Sequence, residues 1–157
     1  MNTAAPRPTG ANDALVGSSY PATETYEVSA AKIAEFALAT GATSPLHFER
    51  DAARRAGHRD VVAPPTFAVV IAQRAEAAYI EDPASGVDFS RVVHAEESFR
   101  HHRPLCAGDV VSAEVHVDAV THRGNISMVT TRAEITDADG LPVSTVVSTL
   151  AVRGEGA

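Results

Sequence analysis

One stretch of helical length, residues 66–80 (TFAVVIAQRAEAAYI), is apolar on every side over its first turns. Polar side chains enter only in its second half, where Gln73, Arg74 and Glu76 predict an exposed stripe. Such a helix cannot lie open on a surface, because its other sides would expose apolar area to water. The sequence therefore predicts a central helix around which the rest of the chain is wrapped.

The hydrophobic period changes after this helix and stays changed to the end of the chain. Residues 81–88 (EDPASGVD) are typical of turns, and residues 111–119 then alternate between apolar and polar side chains. The pattern predicts four antiparallel strands that share one apolar face. The other three strand segments are residues 91–103, 125–136 and 141–152, with turn residues at 107–109, 122–124 and 137–140.

A twisted antiparallel sheet has to cover its apolar face, and the 66–80 helix is the only element apolar enough to do so. The sequence thus predicts a single hotdog fold of the α+β class, in which an antiparallel sheet wraps one long buried helix. A unit of this kind leaves a sheet edge and the rim of the helix bare. We therefore expect a homodimer, or a heterodimer with another hotdog subunit.

Local signals in the first half of the chain predict an amphipathic helix from Ser29 to Thr40. Ser29 is a good N-cap, and Gly41 ends the apolar spacing. The remaining predicted boundaries are a flexible N-terminal tail at residues 1–14, a short strand at 25–28, a short helical turn at 50–59, the hotdog domain at 15–153 and a C-terminal tail at 154–157.

Composition excludes several classes of partner. The net charge of −7 and the pI near 5.4 argue against nucleic acid, whose binders concentrate basic residues on one face. No apolar run approaches the ~20 residues of a membrane span, and the N-terminus lacks the apolar core of a secretory signal, so no membrane partner and a cytoplasmic location are expected. Cys106, the lone cysteine, predicts a small buried side chain. The seven histidines lack metal-ligand spacing, so neither a metal nor any other cofactor is expected.

A polar loop ahead of the central helix carries one histidine, His47, shortly after Pro45. Proline biases Ser44 away from helical conformation, which predicts that His47 lies in a turn. The run VVAPPTF at residues 61–67 predicts an extended segment that leads into the helix. Because a helix start attracts negative charge, a histidine-bearing loop aimed at it predicts a site for an oxyanion.

Five short stretches carry a family resemblance: VGSSYP from Val16, GATSPLHF from Gly41, AxxxGHxDVVAPPTF from Ala53, FSRVVHAEESF from Phe89 and HRPLCAGDVV from His102. Together, over residues 16–153, they resemble the MaoC-like (R)-specific hydratases and dehydratases, which have hotdog folds. The most similar type is the FAS1-like dehydratase N-terminal domain, as in actinobacterial (3R)-hydroxyacyl-ACP dehydratase subunits.

The catalytic loop of that family, G-D-x-N-P-L-H, holds a water molecule between its aspartate and its histidine. The matching run here is GATSPLH, so His47 is present, whereas Ala42 replaces the aspartate and Ser44 the asparagine. Ala42 can neither take a proton nor orient water. The resemblance therefore implies catalysis by His47 and Ser44, and the alternative is that His47 is a loop histidine without a catalytic role. A residue of an extended loop can point back to the same cavity, so Glu49 or Asp51 is the candidate replacement for the missing carboxylate.

The resemblance also implies where a substrate lies. Backbone N–H groups near the start of the central helix would polarise the thioester carbonyl, and the acyl chain would follow the helix. The implied substrate-binding residues are Pro64, Pro65, Thr66, Phe67 and His94.

Three functions follow from these features. The first is a dehydratase or hydratase acting on (3R)-hydroxyacyl or trans-2-enoyl thioesters of CoA or acyl carrier protein. The second is a non-catalytic, acyl-thioester-binding partner subunit, since the His94-Ala95-Glu96-Glu97 run is similar to the H-G-E-Q run of degenerate hotdog units. The third is a hotdog thioesterase that uses Glu76 on the central helix.

Overall fold

The computed structural model describes residues 10–22 and 24–154. Its helices are α1 (Ala30–Thr40), α2 (Arg50–Arg55) and α3 (Ala68–Ile80). Its strands are β1 (Ser19–Tyr20), β2 (Tyr26–Glu27), β3 (Val92–His101), β4 (Val110–Arg123), β5 (Ile126–Asp137) and β6 (Pro142–Arg153).

The strands form one antiparallel sheet in the order β1-β4-β5-β6-β3, with β2 also paired to β4. Alternate residues of β4, β5 and β6 are buried where α3 packs against the sheet, as the period-two pattern predicts. Val115, Val129 and Leu150 are fully buried examples. The sheet therefore wraps one long helix, and the predicted α+β hotdog fold is confirmed.

The strand that follows α3 in the chain lies at the far edge of the sheet. β3 pairs with β6, Phe99 opposite Val146, and does not pair with β4. Residues 102–109 therefore carry the chain past the end of the sheet, and the turn at 107–109 does not close a hairpin. Alternation predicts which face of a strand is buried, but it does not predict which strand lies beside it.

The boundaries of α1 follow its local signals. The Ser29 hydroxyl accepts a hydrogen bond from the Lys32 N–H at 3.1 Å, and Gly41 takes a left-handed φ of 71° at the end of the helix. The start of α3 is less regular, because residues 65–67 form a single 3₁₀ turn in which the Phe67 N–H donates to the Pro64 carbonyl at 2.9 Å. The α-helix consequently begins at Ala68, two residues later than predicted.

The predicted exposed stripe on α3 is only half correct. Gln73 and Arg74 are exposed, but Glu76 is only 1 % exposed. Glu76 lies four residues after Ala72 and three before Tyr79, which are both fully buried, so the three side chains share one face of the helix. That face packs against the sheet. Glu76 is therefore a buried acid and not a surface residue.

The predicted tails lie largely outside the described residues. At the N-terminal end, Ala11 is only 3 % exposed, and its N–H donates to the Ser127 hydroxyl at 3.2 Å. At the other end, the Gly154 N–H donates to the Asn125 carbonyl at 2.8 Å. Packing against the sheet thus begins earlier than the predicted domain boundary at residue 15.

Candidate functional site

His47 lies in a short 3₁₀ turn, Pro45–His47, whose start is capped by Ser44. The Ser44 hydroxyl accepts from the Leu46 N–H at 3.4 Å, and the Leu46 carbonyl accepts from the Val62 N–H at 2.9 Å. These bonds hold the loop against the extended segment at residues 61–63. The His47 side chain is folded inward and is 9 % exposed.

One hydrogen bond decides which nitrogen of His47 carries the proton. Nδ1 lies 2.7 Å from the Val62 carbonyl oxygen. Because a carbonyl oxygen only accepts, Nδ1 is the donor, and in the neutral ring Nε2 is left as the acceptor. Nε2 has no partner among the described residues. A histidine held in this way can take a proton from a group placed beside it.

The segment that holds His47 is itself anchored. The Ala63 N–H donates to the Leu105 carbonyl at 2.8 Å, and Val62 forms a bridge with Cys106, which is buried as predicted. Beneath this bridge the Asp109 carboxylate, 4 % exposed, accepts from the Cys106 N–H at 2.8 Å. Its other partners are the guanidinium groups of Arg59 and of Arg103, the latter at 3.0 Å.

Among the described residues, no carboxylate is paired with the His47 side chain. Ala42 is half-buried, and its N–H donates to the Ala37 carbonyl at 2.8 Å where α1 ends. Glu49 and Asp51 are exposed around the start of α2, and within the described residues neither is paired with His47. The Ser44 hydroxyl faces Leu46. The loop therefore presents a fixed histidine without an acid beside it.

The predicted substrate-binding residues fall into two groups. Pro64, Pro65 and Thr66 lie at the start of α3, where a cavity of about 370 Å³ opens beside Pro64 and Pro65. Phe67 is fully buried, and its ring centroid lies 5.4 Å from that of Phe36, so it belongs to the core. His94 lies elsewhere, on β3, with its Nε2 3.5 Å from the side-chain nitrogen of Gln73.

A larger cleft of about 600 Å³ runs beside α3, between α1 and His94 on β3. This volume is in the range of sites for small molecules. Ion pairs stand at its rim, Lys32 with Glu35 at 3.1 Å and Arg74 with Glu24 at 2.7 Å. Glu76 and Gln73 contribute polar groups. The apolar lining consists of Phe36, Ala39, Val70, Ala77, Ile80 and Phe89.

A row of polar side chains crosses the mainly apolar inner face of the sheet beneath this cleft. Thr131 on β5 lies opposite Ser148 on β6, which lies opposite Glu97 on β3. The Thr131 hydroxyl donates to Glu76 Oε1 at 2.6 Å, and the Ser148 hydroxyl donates to Glu97 Oε1 at 2.8 Å. The sequence contained a signal for this row, because Thr131 and Ser148 interrupt apolar inward positions of their strands.

The surroundings of Glu97 affect the pKa of its carboxyl group. Burial raises the pKa of the Glu97 carboxyl above its ordinary value, and the nearby Glu76 raises it further. The hydrogen bond from Ser148 and the neighbouring His94 act in the opposite direction. Two carboxyl groups thus share a poorly solvated space under the cleft.

His101 and His102 line the cavity beside Pro64 and Pro65, whereas His116 and His122 on β4 line neither that cavity nor the cleft beside α3. His122 Nδ1 is 2.9 Å from the Ser127 hydroxyl, and His116 Nε2 is 3.7 Å from Glu114. Within residues 10–22 and 24–154, no group of three or more His, Cys, Asp or Glu side chains is placed to hold a metal ion. No helix in that part of the chain is long and apolar enough to cross a membrane.

Comparison with known proteins agrees with this architecture. The chain is 49% identical over 143 residues to a UPF0336 protein of Saccharopolyspora erythraea, a match that covers 91% of this chain and 92% of that one. It is 35% identical to a UPF0336 protein of Mycolicibacterium paratuberculosis, covering 88% of this chain and 79% of that one.

Solved structures of dehydratases have a similar fold. The C-terminally truncated HadBC (3R-hydroxyacyl-ACP dehydratase) complex from Mycobacterium tuberculosis contains a chain with a TM-score of 0.79 and 28% identity, covering 87% of this chain and 96% of that one. A MaoC-like dehydratase matches with a TM-score of 0.83 and 29% identity, over 90% of this chain but 43% of its own length. The sequence model of one protein family, described as the FAS1-like, dehydratase domain region, matches residues 14–146 of this chain. The chain therefore belongs to the FAS1-like dehydratase family, as its sequence motifs predict.

Proposed function

We propose that this chain acts in the reversible addition of water to trans-2-enoyl thioesters of CoA or acyl carrier protein, which yields (3R)-hydroxyacyl thioesters. Membership of a dehydratase family supports the kind of reaction. The observation that carries the proposal is the geometry of His47, which is buried and fixed by the Val62 carbonyl with Nε2 left to accept a proton.

A single histidine can perform both proton transfers. In hydration, Nε2 of His47 takes a proton from water while the water oxygen bonds to the β-carbon, and the double-bond electrons move to give the thioester enolate. The imidazolium then returns that proton to the α-carbon, which restores neutral His47 and the thioester. Both additions come from the face on which His47 lies, so the outcome is syn. The start of α3 adjoins the segment that holds His47, and its dipole favours the enolate oxygen.

A second function, that of a non-catalytic partner subunit, is favoured by the absence of a carboxylate paired with His47 in the described part of the chain. The surface of the protein also favours association with a second subunit. The ten-residue β3 lies at the edge of the sheet, and Val93 on it is 66% exposed. Phe89, just before β3, is 65% exposed. We propose that a second hotdog chain, identical or related, covers this side of the molecule.

Hydration of crotonyl-CoA and of a longer trans-2-enoyl-CoA, followed at the enoyl absorbance, tests the proposal. We expect His47→Ala to lower the rate by at least ~10²-fold, the low end of general acid–base contributions. His116→Ala, which changes a histidine outside both regions, is the matched control and should leave the rate unchanged. Full activity of the His47→Ala protein would overturn the role of His47.

An inactive wild-type protein would favour the partner role. Co-purification with a chain that carries the complete GDxNPLH loop would then be expected, and the activity should appear in the mixed complex. Absence of any such partner together with absence of activity would contradict both functions.

A further inference from the structure

Glu76 is a buried acid with one oxygen satisfied and one not. Its Oε1 accepts from the Thr131 hydroxyl at 2.6 Å, whereas Oε2 has no hydrogen-bond partner within residues 10–22 and 24–154. Of the buried side-chain polar atoms in the described residues, only Glu76 Oε2 and the Tyr79 hydroxyl are unpaired. Burying an acceptor without a donor is unfavourable, and more so for a charged group. Glu76 therefore lowers the stability of the fold at a position where its neighbours on the same helix face, Ala72 and Tyr79, are part of the core.

The position of Glu76 suggests what offsets this cost. Glu76 lines the 600 Å³ cleft beside α3, whose other walls are mainly apolar. The terminal torsion of a glutamate is broad, so the side chain can keep one oxygen on Thr131 while the other turns to the cleft. A ligand that fills this space would be apolar along most of its length and would carry one polar group near Glu76.

The polar group of the ligand that meets Glu76 Oε2 must be a hydrogen-bond donor, because a carboxylate oxygen only accepts. A neutral hydroxyl fits better than an ammonium group. Most of the surface that lines the cleft is apolar, which makes burial of a charge costly, and the charged groups at its rim are already paired, Lys32 with Glu35 and Arg74 with Glu24.

We infer that the cleft binds an acyl chain bearing a hydroxyl group, which donates its hydrogen bond to Glu76. The inference rests on the proposed function, since it takes the thioester end to lie near the start of α3. Glu76 follows Ala68 by eight residues, or about 12 Å along the helix axis. The hydroxyl is therefore in the distal part of the chain and is distinct from the one at the β-carbon that the hydration reaction forms.

Binding of saturated thioesters tests this inference apart from catalysis, because they have no double bond to hydrate. Isothermal titration calorimetry would compare decanoyl-, dodecanoyl- and tetradecanoyl-CoA with the same chains bearing a terminal hydroxyl. At one of these lengths we expect the hydroxyl to tighten binding about tenfold, the effect of one hydrogen bond to a charged group. A terminal methoxy group, which accepts but does not donate, should give no gain.

Glu76→Gln keeps an oxygen for Thr131 and replaces Oε2 by an amide donor. In this variant the preference for the hydroxyl over the methoxy chain should disappear. Glu27→Gln, at an exposed position on β2, is the control and should bind like the wild type. Should the Glu76→Gln protein fail to fold, the comparison of ligands on the wild type still decides the question.

Several outcomes would overturn the inference. Equal binding of plain and hydroxylated chains at every length would do so and would leave the proposed function intact. Absence of binding of any thioester would overturn the proposed function and the inference together. Release of free thiol from these thioesters, lost in the Glu76→Gln protein, would assign Glu76 to hydrolysis and not to recognition of a hydroxyl.

Discussion

The two ends of α3 differ in whether the buried polar groups around them are hydrogen-bonded. Near its start, His47 is bonded to the Val62 carbonyl, and Asp109 has three partners. In its second half, Glu76 Oε2 and the Tyr79 hydroxyl have no hydrogen-bond partner in the described part of the chain. A satisfied buried group rigidifies its surroundings, whereas an unsatisfied one destabilises the fold. The first end is thus built to hold a histidine still, and the second retains polar groups that the fold alone does not need.

The largest effect is expected at Asp109, which ties the segment behind His47 to two arginines. Asp109→Ala should lower the free energy of unfolding by about 3 kcal/mol, because it leaves the Cys106 N–H and the Arg59 guanidinium group without their partner. Chemical denaturation measures this loss. Asp118→Ala removes a more exposed pair with Arg132 and should cost no more than about 1 kcal/mol. Similar losses for the two variants would mean that the His47 end is not specially stabilised.

The second prediction concerns the missing acid at the same end. Ala42→Asp places a carboxylate at the position where related loops carry one, and we expect it to raise the hydration rate of crotonyl-CoA about 10²-fold. Ala42→Asn, of the same size but unable to take a proton, should not. The gain should vanish in the double variant with His47→Ala. An unchanged rate in a folded Ala42→Asp protein would show that the loop lacks more than an acid.

Local signals were sufficient to predict much of the fold. Ser29 and Gly41 mark the ends of α1 through hydrogen bonds and backbone angles that involve only neighbouring residues. The alternation along residues 111–119 likewise depends on one strand and one face. The place of β3 beside β6 could not be predicted, because it depends on how the chain crosses the end of the sheet.

The same distinction applies to the functional regions. The position of His47 in a turn could be predicted from a continuous loop motif, although its hydrogen bond to the Val62 carbonyl could not. Glu76 was wrongly predicted to be exposed, because Gln73 and Arg74 precede it. The sequence analysis did not single out Thr131 and Ser148, and only the register of β5 and β6 brings them together under Glu76.

A pair of tyrosines provides a third, smaller test. Burial raises the pKa of Tyr79 to about 12, and its hydroxyl has no hydrogen-bond partner among the residues that the structure describes. Tyr20, whose ring packs against that of Tyr79 at 5.6 Å, donates to Asp82 at 2.7 Å. We expect Tyr79→Phe to raise the free energy of unfolding by up to about 1 kcal/mol and Tyr20→Phe to lower it by about 1 kcal/mol. A loss of stability in the Tyr79→Phe protein would mean that the Tyr79 hydroxyl has a hydrogen-bond partner in solution.

The smallest effect, and the one that depends on pH, is expected at Glu97 beside Glu76. Burial raises the pKa of Glu97 above its ordinary value of 4.5, so the folded state favours the protonated acid. The protonated Glu97 carboxyl therefore contributes its full stability at pH values below 4.5, and this contribution is lost as pH rises through the higher pKa of the folded state. Glutamine is neutral throughout and still offers an oxygen to Ser148. Glu97→Gln should therefore raise Tm at pH 7 by about one or two degrees, with no gain near pH 4.

Thermal unfolding of the wild-type and Glu97→Gln proteins across this range measures the difference. The matched control is Glu96→Gln, which changes the exposed neighbour on the same strand and should leave Tm within about a degree at each pH. A gain that is equal at all pH values would place its origin in packing. A loss of stability at pH 7 would mean that the carboxylate of Glu97 is favourably held, and the second half of α3 would then resemble the His47 end.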